Sequence, residues 1–310
     1  MGLHASPTGP ALLVCAIALS AACSSSSGEG ARTGPADGGT TADAGLDAAP
    51  EAEAGGACNQ CPGMPPPDSM CTISADAQLI DTTGAPAAGH ILLLCGLNLC
   101  SMPVKTDAQG KAHFGLCLNM KSPALKFLGD ADYVSFGVAM TKPIETFPPT
   151  TVVPLPAQGS ALPTGAGSVS SGPVTLQITG GTVTFDPTQP SDPNSIEFRA
   201  AAVTPAQAPP GLDPALGVKA LWGLAPVNAK LSTPGVLTVP NPDPTGWPAG
   251  TKVDFVLNGL DESPMPAVPY GGWGRVSTGT VSQDGKTITT DSGAGNGLPT
   301  IGLVGVGPHQ

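Results

Sequence analysis

Six cysteines within residues 58–117 are the side chains with the clearest chemical meaning in this chain. They are Cys58, Cys61, Cys71, Cys95, Cys100 and Cys117, and no cysteine follows them. In an exported chain an even set of cysteines is typical of disulfides. The sequence does not determine which of these cysteines are bonded to each other. The alternative is a zinc site that includes Cys58 and Cys61, but a second pair with this spacing is absent. The sequence therefore predicts disulfides and no metal ion.

Acid and base chemistry has few candidate residues. His4 and His309 lie near the ends of the chain, so His90 and His113 are the candidate bases. Both fall at or in predicted strands, and neither has an identifiable nucleophile as a partner. This placement favours ordinary strand histidines over catalytic ones.

Asp261 and Glu262 form an acidic pair that could be half of a glycosidase site, but no second carboxylate can be matched to it from the sequence. The motifs Gly-x-Ser-x-Gly and His-Glu-x-x-His are absent, as is a glycine-rich loop that ends in Lys-Ser/Thr. We therefore expect no enzymatic activity and no cofactor. A hydrolase of an unrecognised class is the alternative.

Trp247, Tyr270 and Trp273 are the candidate aromatic residues for binding a ligand. Rings with a polar edge can stack on sugars and hydrogen-bond to them, so these residues could form a platform for a carbohydrate or a peptide. The alternative is that Trp222 and Trp273 fill a core in the second half of the chain. The small number of aromatic residues favours the core.

The first 22 residues have the organisation of a cleaved export signal. An apolar run over residues 11–19 is followed by small residues, and it is shorter than the ~20 residues that span a bilayer. The segment from Leu19 to Cys23 resembles the lipobox of bacterial lipoproteins, with Ser20 where that motif usually has leucine. The resemblance implies that Cys23 becomes the first residue and carries lipid, which attaches the chain to a bilayer. Ordinary secretion is the alternative.

Residues 23–57 are predicted to form the lipidated N-terminus and a flexible acidic stalk. They consist mainly of Ser, Gly, Ala, Thr, Asp and Glu and offer little to bury. Six acids against one base give this segment nearly half of the net charge of −11. Because no part of the chain has a basic patch, we expect no nucleic-acid partner. Ser24 after Cys23 resembles the arrangement for outer-membrane sorting in Gram-negative bacteria.

The composition of the remaining residues predicts an all-β fold. The chain has 42 glycines and 36 prolines but only 11% charged residues, and both glycine and proline disfavour helices. Short alternating runs bounded by turn residues recur instead, as in β-sandwiches. Because domains usually have ~100–150 residues, we predict two consecutive sandwiches. The first, rich in disulfides, covers residues 58–150, and the second covers 151–310.

Turns of two kinds separate the predicted strands of the first region. Gly84-x-Pro86-x-x-Gly89 lies between an alternating strand over 72–80 and an apolar strand over 90–95. Asp107-x-x-Gly110 then leads into a strand that contains Phe114, and it supplies a side-chain acceptor and a position with positive φ. This succession resembles the carboxypeptidase regulatory-like, or transthyretin-like, β-sandwich. The resemblance implies a non-catalytic accessory fold.

Two hairpins are predicted in the second region. Gly180-Gly181 separates apolar runs over 174–178 and 182–185, and Asp284-Gly285 separates runs over 276–281 and 287–289. The turns and apolar positions between residues 237 and 285 resemble the fibronectin-plug-type β module that follows a transthyretin-like domain in teneurins. This resemblance implies no catalytic chemistry.

These features together predict an extracytoplasmic, membrane-anchored protein that acts as a structural or ligand-binding module of the cell envelope. Its expected partners are the bilayer, through acylated Cys23, and an envelope glycan or protein. A carbohydrate- or peptide-binding protein that uses the aromatic loops is the nearest alternative.

Overall fold

Short strands joined by turns make up the computed structural model of the protein. It describes residues 60–129, 132–185, 196–263 and 266–310. Within these ranges no α-helix is present, and Pro205–Gln207 and Pro214–Leu216 form single-turn 3-10 helices. The all-β prediction is therefore confirmed. The same ranges hold no helical segment with the length and apolar character required to cross a bilayer. The predicted export signal, Cys23, the predicted stalk and Cys58 lie outside the described residues.

Eight strands form two four-stranded sheets in the first region. They are β1 (Ser69–Ile80), β2 (Ile91–Cys95), β3 (Val104–Lys105), β4 (Lys111–Lys121), β5 (Ala124–Phe127), β6 (Phe136–Ala139), β7 (Ile144–Thr146) and β8 (Thr150–Thr151). One sheet has the order β4-β1-β7, with β8 also paired to β1, and the other has the order β3-β2-β5-β6. Both sheets bury side chains in the same core, which includes Phe114 from β4 and Phe127 from β5.

Alternation of polar and apolar residues explains which face of β1 and β4 is buried. Ala75 and Leu79 of β1 are fully buried, whereas Asp76 between them is exposed. The alternation of β4 is interrupted because Ile73 lies opposite two residues, Leu116 and Cys117, at a β-bulge. Leu116, two residues after the buried Phe114, is consequently only half-buried.

Twelve further strands form one large sheet in the second region. They are β9 (Ser160–Ala161), β10 (Gly167–Ser171), β11 (Val174–Ile178), β12 (Val183–Thr184), β13 (Glu197–Val203), β14 (Ala220–Ala225), β15 (Lys230–Pro240), β16 (Lys252–Asn258), β17 (Trp273–Val281), β18 (Thr287–Thr290), β19 (Leu298–Thr300) and β20 (Leu303–Pro308). The order is β10-β11-β15-β18-β17-β16-β20-β14-β13-β9, and β12 and β19 also pair with β15. All of these pairings are antiparallel.

The two predicted hairpins of this region have different outcomes. The Asp284-Gly285 hairpin is confirmed, since β17 and β18 pair with Val281 opposite Ile288. The Gly180-Gly181 hairpin is wrong, because β11 and β12 both pair with β15 and not with each other. Gly181 is required for another reason: its φ is +76°, and a Cβ there would collide with the hydroxyl of Ser232 on β15.

The two regions share apolar packing. The second core contains Trp222 and Trp247, both with under 10% of their surface exposed. The core between the two small sheets is completed by Leu221 and Leu303 from the second region. The described residues belong to one compact unit. The domain boundary at residue 150 stays a prediction.

A segment of the second region also packs on the outer face of the sheet β3-β2-β5-β6. The side-chain amide of Asn258 donates to the Gly137 carbonyl at 3.0 Å and accepts from the Gly137 N–H at 2.7 Å. Nearby, the N–H of Ala139 donates to the Gly271 carbonyl at 2.9 Å. The edge of β6 that does not pair with β5 is thus hydrogen-bonded to the second region. The same packing places Glu262 next to Lys126 of β5.

Candidate functional site

Disulfides account for most of the cysteines predicted to pair. Cys61 is bonded to Cys71, Cys95 is bonded to Cys100, and Cys117 is disulfide-bonded too. Cys61 is therefore a disulfide partner and not a ligand of the alternative zinc site. Disulfides persist in oxidising compartments, so these bonds indicate an extracytoplasmic location.

A groove lies on the outer face of the sheet β4-β1-β7. We call it the β1–β4 groove, and it has a volume of about 550 Å³. Its lining includes Asp76, Gln78, Lys111, His113, Thr146 and Pro149. Strand register explains the assembly: Asp76 lies opposite His113 on one side and Thr146 on the other, and Gln78 lies opposite Lys111. The groove thus presents one row of polar groups across three strands.

An oriented histidine is the main chemical feature of this groove. Nδ1 of His113 lies 2.8 Å from Oδ1 of Asp76, and both side chains are more than half exposed. Since an ionised carboxylate only accepts hydrogen bonds, Nδ1 donates, and Nε2 of the neutral ring is an acceptor. No serine, threonine or cysteine side chain of the described residues hydrogen-bonds to His113. The arrangement can therefore bind a polar ligand or accept a proton.

His90 has a packing role instead. Its ring meets the rings of Tyr133 and Phe127 edge-on, with centroid distances of 4.7 and 5.7 Å. Its backbone N–H donates to the Thr106 hydroxyl at 3.0 Å. The structure therefore brings only His113 of the two candidate bases into the groove.

Asp261 and Glu262 form ion pairs with two different lysines. Asp261 lies 2.8 Å from Nζ of Lys230. Burial opposes ionisation of this carboxyl, but hydrogen bonds from Lys230 and Ser263 outweigh it and lower the pKa of Asp261 below its usual value. Glu262 accepts from Nζ of Lys126 at 2.6 Å. Each carboxylate is thus held by its own ion pair.

The three candidate aromatic residues lie in different surroundings. Trp247 is buried in the second core, and Tyr270 is buried beside Cys95. Trp273 is half-buried against the core between the small sheets, and its buried Nε1 has no hydrogen-bond partner among the described residues. These side chains offer little exposed surface for stacking, and binding of a ligand to them stays a prediction.

A second group of polar side chains surrounds the Cys95–Cys100 disulfide. We call Cys95, Cys100, Lys126, Glu262 and Tyr270 the Glu262 cluster. Oε1 of Glu262 accepts from Nζ of Lys126 and, at 3.2 Å, from the hydroxyl of Tyr270. Burial first, and then the neighbouring carboxylate, raise the pKa of Tyr270, so its hydroxyl remains a donor.

Sequence reasoning singled out Cys95, Cys100, Glu262 and Tyr270 for separate reasons, but it missed Lys126 and did not predict that these residues lie together. Lys126 follows two apolar residues in a short buried strand, where a lysine is unusual without a partner. That signal pointed to a buried ion pair, but it could not name Glu262, which comes from a distant loop.

The chain matches no model of a known protein family and no curated protein. The resemblances stated from the sequence therefore stay expectations.

Proposed function

We propose that this protein is a non-enzymatic lipoprotein anchored in the cell envelope, whose folded part binds an envelope glycan or protein through the β1–β4 groove. The observation that carries the proposal is a disulfide-bonded all-β body that follows an export-type N-terminal sequence. The anchor is lipid on Cys23, in the outer membrane if the cell is Gram-negative. Secretion without lipid is the alternative.

We also propose a fold for each of the two regions. Two small sheets around one core support a transthyretin-like first region. In the second region the two ends of the long sheet approach each other, since the N–H of Ala200 on β13 donates to the Ser171 hydroxyl on β10 at 2.9 Å. This approach leaves the sheet nearly closed, as in a barrel, and a second sandwich-like domain over residues 151–310 with the fibronectin-plug-type module as its relative stays part of the proposal.

The anchor is tested by intact mass spectrometry of the membrane fraction. We expect the mature chain to begin at Cys23, to carry acyl groups and to have lost thiol hydrogens to disulfides. Cys23→Ala is expected to remove the acyl mass and to move the protein out of the membrane fraction. A full-length chain with Met1 and free thiols in the cytosol would contradict both the anchor and the location.

The groove is tested with the labelled mature protein on an array of envelope glycans and on immobilised envelope proteins. His113→Ala and Asp76→Asn are each expected to weaken the bound signal about tenfold, as loss of one or two polar contacts costs about 1–2 kcal/mol. Lys286→Ala is the matched control, since it changes an exposed charge outside the groove.

Two outcomes would replace this proposal. Binding that survives His113→Ala but is lost in Trp273→Ala would favour the aromatic loops as the carbohydrate or peptide site. Activity in a broad hydrolase screen that disappears in His113→Ala or His90→Ala would make the protein an enzyme. If the protein binds neither the glycan array nor the immobilised envelope proteins, ligand binding through the groove is excluded and a structural role is left.

A further inference from the structure

Three potential metal ligands converge in the Glu262 cluster. The sulfur atoms of Cys95 and Cys100 and a carboxylate oxygen of Glu262 all lie within 4.8 Å of one another. In the structure the two sulfurs are bonded to each other. Two thiolates and one carboxylate are a ligand set that suits tetrahedral Zn²⁺, with the fourth position left to water.

The hairpin that carries the two cysteines is held by contacts other than the disulfide. The N–H of Gly96 donates to the Leu99 carbonyl and that of Ser101 donates to the Leu94 carbonyl, both at 2.8 Å. The side chain of Asn98 bonds to the backbone of β4 at 3.0 and 2.8 Å. We therefore expect the two thiols to stay close together after the sulfur–sulfur bond is reduced.

The carboxylate is already oriented as a ligand would be. Both of its hydrogen bonds, from Lys126 and Tyr270, fall on Oε1, and no hydrogen bond to Oε2 is made by the described residues. Outer partners of this kind orient ligands in metal sites. The charges also balance, because two thiolates and one carboxylate offset a divalent ion together with the Lys126 ammonium.

An ion has a route to the ligands. Cys100 is exposed, and the side chain of Glu262 has 35% of its surface exposed, whereas Cys95 is fully buried beneath them. Cys95 and Tyr270 close the inner side of the cluster.

We propose that Cys95, Cys100 and Glu262 form a Zn²⁺ site that opens when the Cys95–Cys100 disulfide is reduced. A small dithiol supplies two electrons and two protons, becomes a cyclic disulfide and leaves two thiols. Zn²⁺ then replaces the two thiol protons, which pass to solvent. Disulfide and metal are mutually exclusive states of the same hairpin.

The test is a Co²⁺ titration of the mature protein after reduction under nitrogen, followed by displacement with Zn²⁺. We expect one tightly bound Co²⁺ per chain with a thiolate-to-metal absorption band, and no such band for the oxidised protein. Cys95→Ser/Cys100→Ser is expected to abolish the band. Cys61→Ser/Cys71→Ser is the matched control that keeps it. Circular dichroism of each reduced sample checks that the sheets persist.

The contribution of Glu262 to Co²⁺ binding is measured by comparing two variants that both lack the charge of Lys126. Lys126→Met/Glu262→Gln is expected to bind Co²⁺ about 10–100-fold more weakly than Lys126→Met. The proposal is overturned if reduced, folded wild-type protein binds no Co²⁺, or if Cys95→Ser/Cys100→Ser binds as tightly as the wild type. Equal loss in the Cys61→Ser/Cys71→Ser control would also overturn it, since binding would then not depend on the Cys95–Cys100 pair in particular.

Discussion

Replacing Gly110 with alanine is expected to lower the free energy of unfolding by about 2–5 kcal/mol. Gly110 ends the turn that leads into β4, and its φ is +72°. A Cβ there would collide with the carbonyl oxygen of Leu79, and this oxygen is fixed because it accepts from the N–H of Ala87 at 3.0 Å. Alanine therefore adds backbone strain and forces β1 and the turn apart. Urea denaturation followed by circular dichroism measures the loss.

Gly84→Ala separates the two causes. Gly84 also has a positive φ, +87°, but no atom lies within 4 Å of the place its Cβ would take. We expect it to cost only the conformational strain, about 1–2 kcal/mol. Equal losses in the two variants would contradict the close packing of Gly110 against β1.

The turn at Gly110 also shows what the sequence could predict about the fold. Asp107-x-x-Gly110 predicts a carboxylate acceptor and a positive φ from four adjacent residues, and Oδ1 of Asp107 accepts from the N–H groups of Gln109 and Lys111 at 2.9 and 2.8 Å. Local chemistry determines such a turn. The prediction of a Gly180-Gly181 hairpin was wrong because both of its strands pair with β15 instead. The contact of Thr182 with Ser232 on β15 spans 50 residues of the chain.

The same distinction explains the candidate sites. An even set of cysteines predicts disulfides from composition and location, but not the bond between Cys61 and Cys71. The contact of His113 with Asp76 depends on the pairing of β1 with β4, across 37 residues. Glu262 reaches Lys126 across 136 residues, through packing of a loop on a sheet. Tertiary packing of this kind leaves no pattern along the chain.

Glu262→Gln is expected to cost about 3–5 kcal/mol, because it leaves the ammonium of Lys126 buried without a counter-charge. The Lys126 side chain has only 6% of its surface exposed, and Nζ lies 2.6 Å from the carboxylate. The reverse change, Lys126→Met, is expected to cost less, about 1–2 kcal/mol, since Glu262 is one-third exposed and keeps part of its hydration. Urea denaturation of both variants measures this asymmetry.

The double variant Lys126→Met/Glu262→Gln tests whether the cost comes from an unpaired charge. Removing both charges is expected to restore most of the stability lost in Glu262→Gln, because methionine fills the lysine position without needing solvation. Tyr270→Phe is the control for the remaining hydrogen bond to the carboxylate and is expected to cost about 1 kcal/mol. Equal and small losses of unfolding free energy in Glu262→Gln and Lys126→Met would contradict this account. The pair would then be an ordinary surface ion pair, with the ammonium of Lys126 in contact with water.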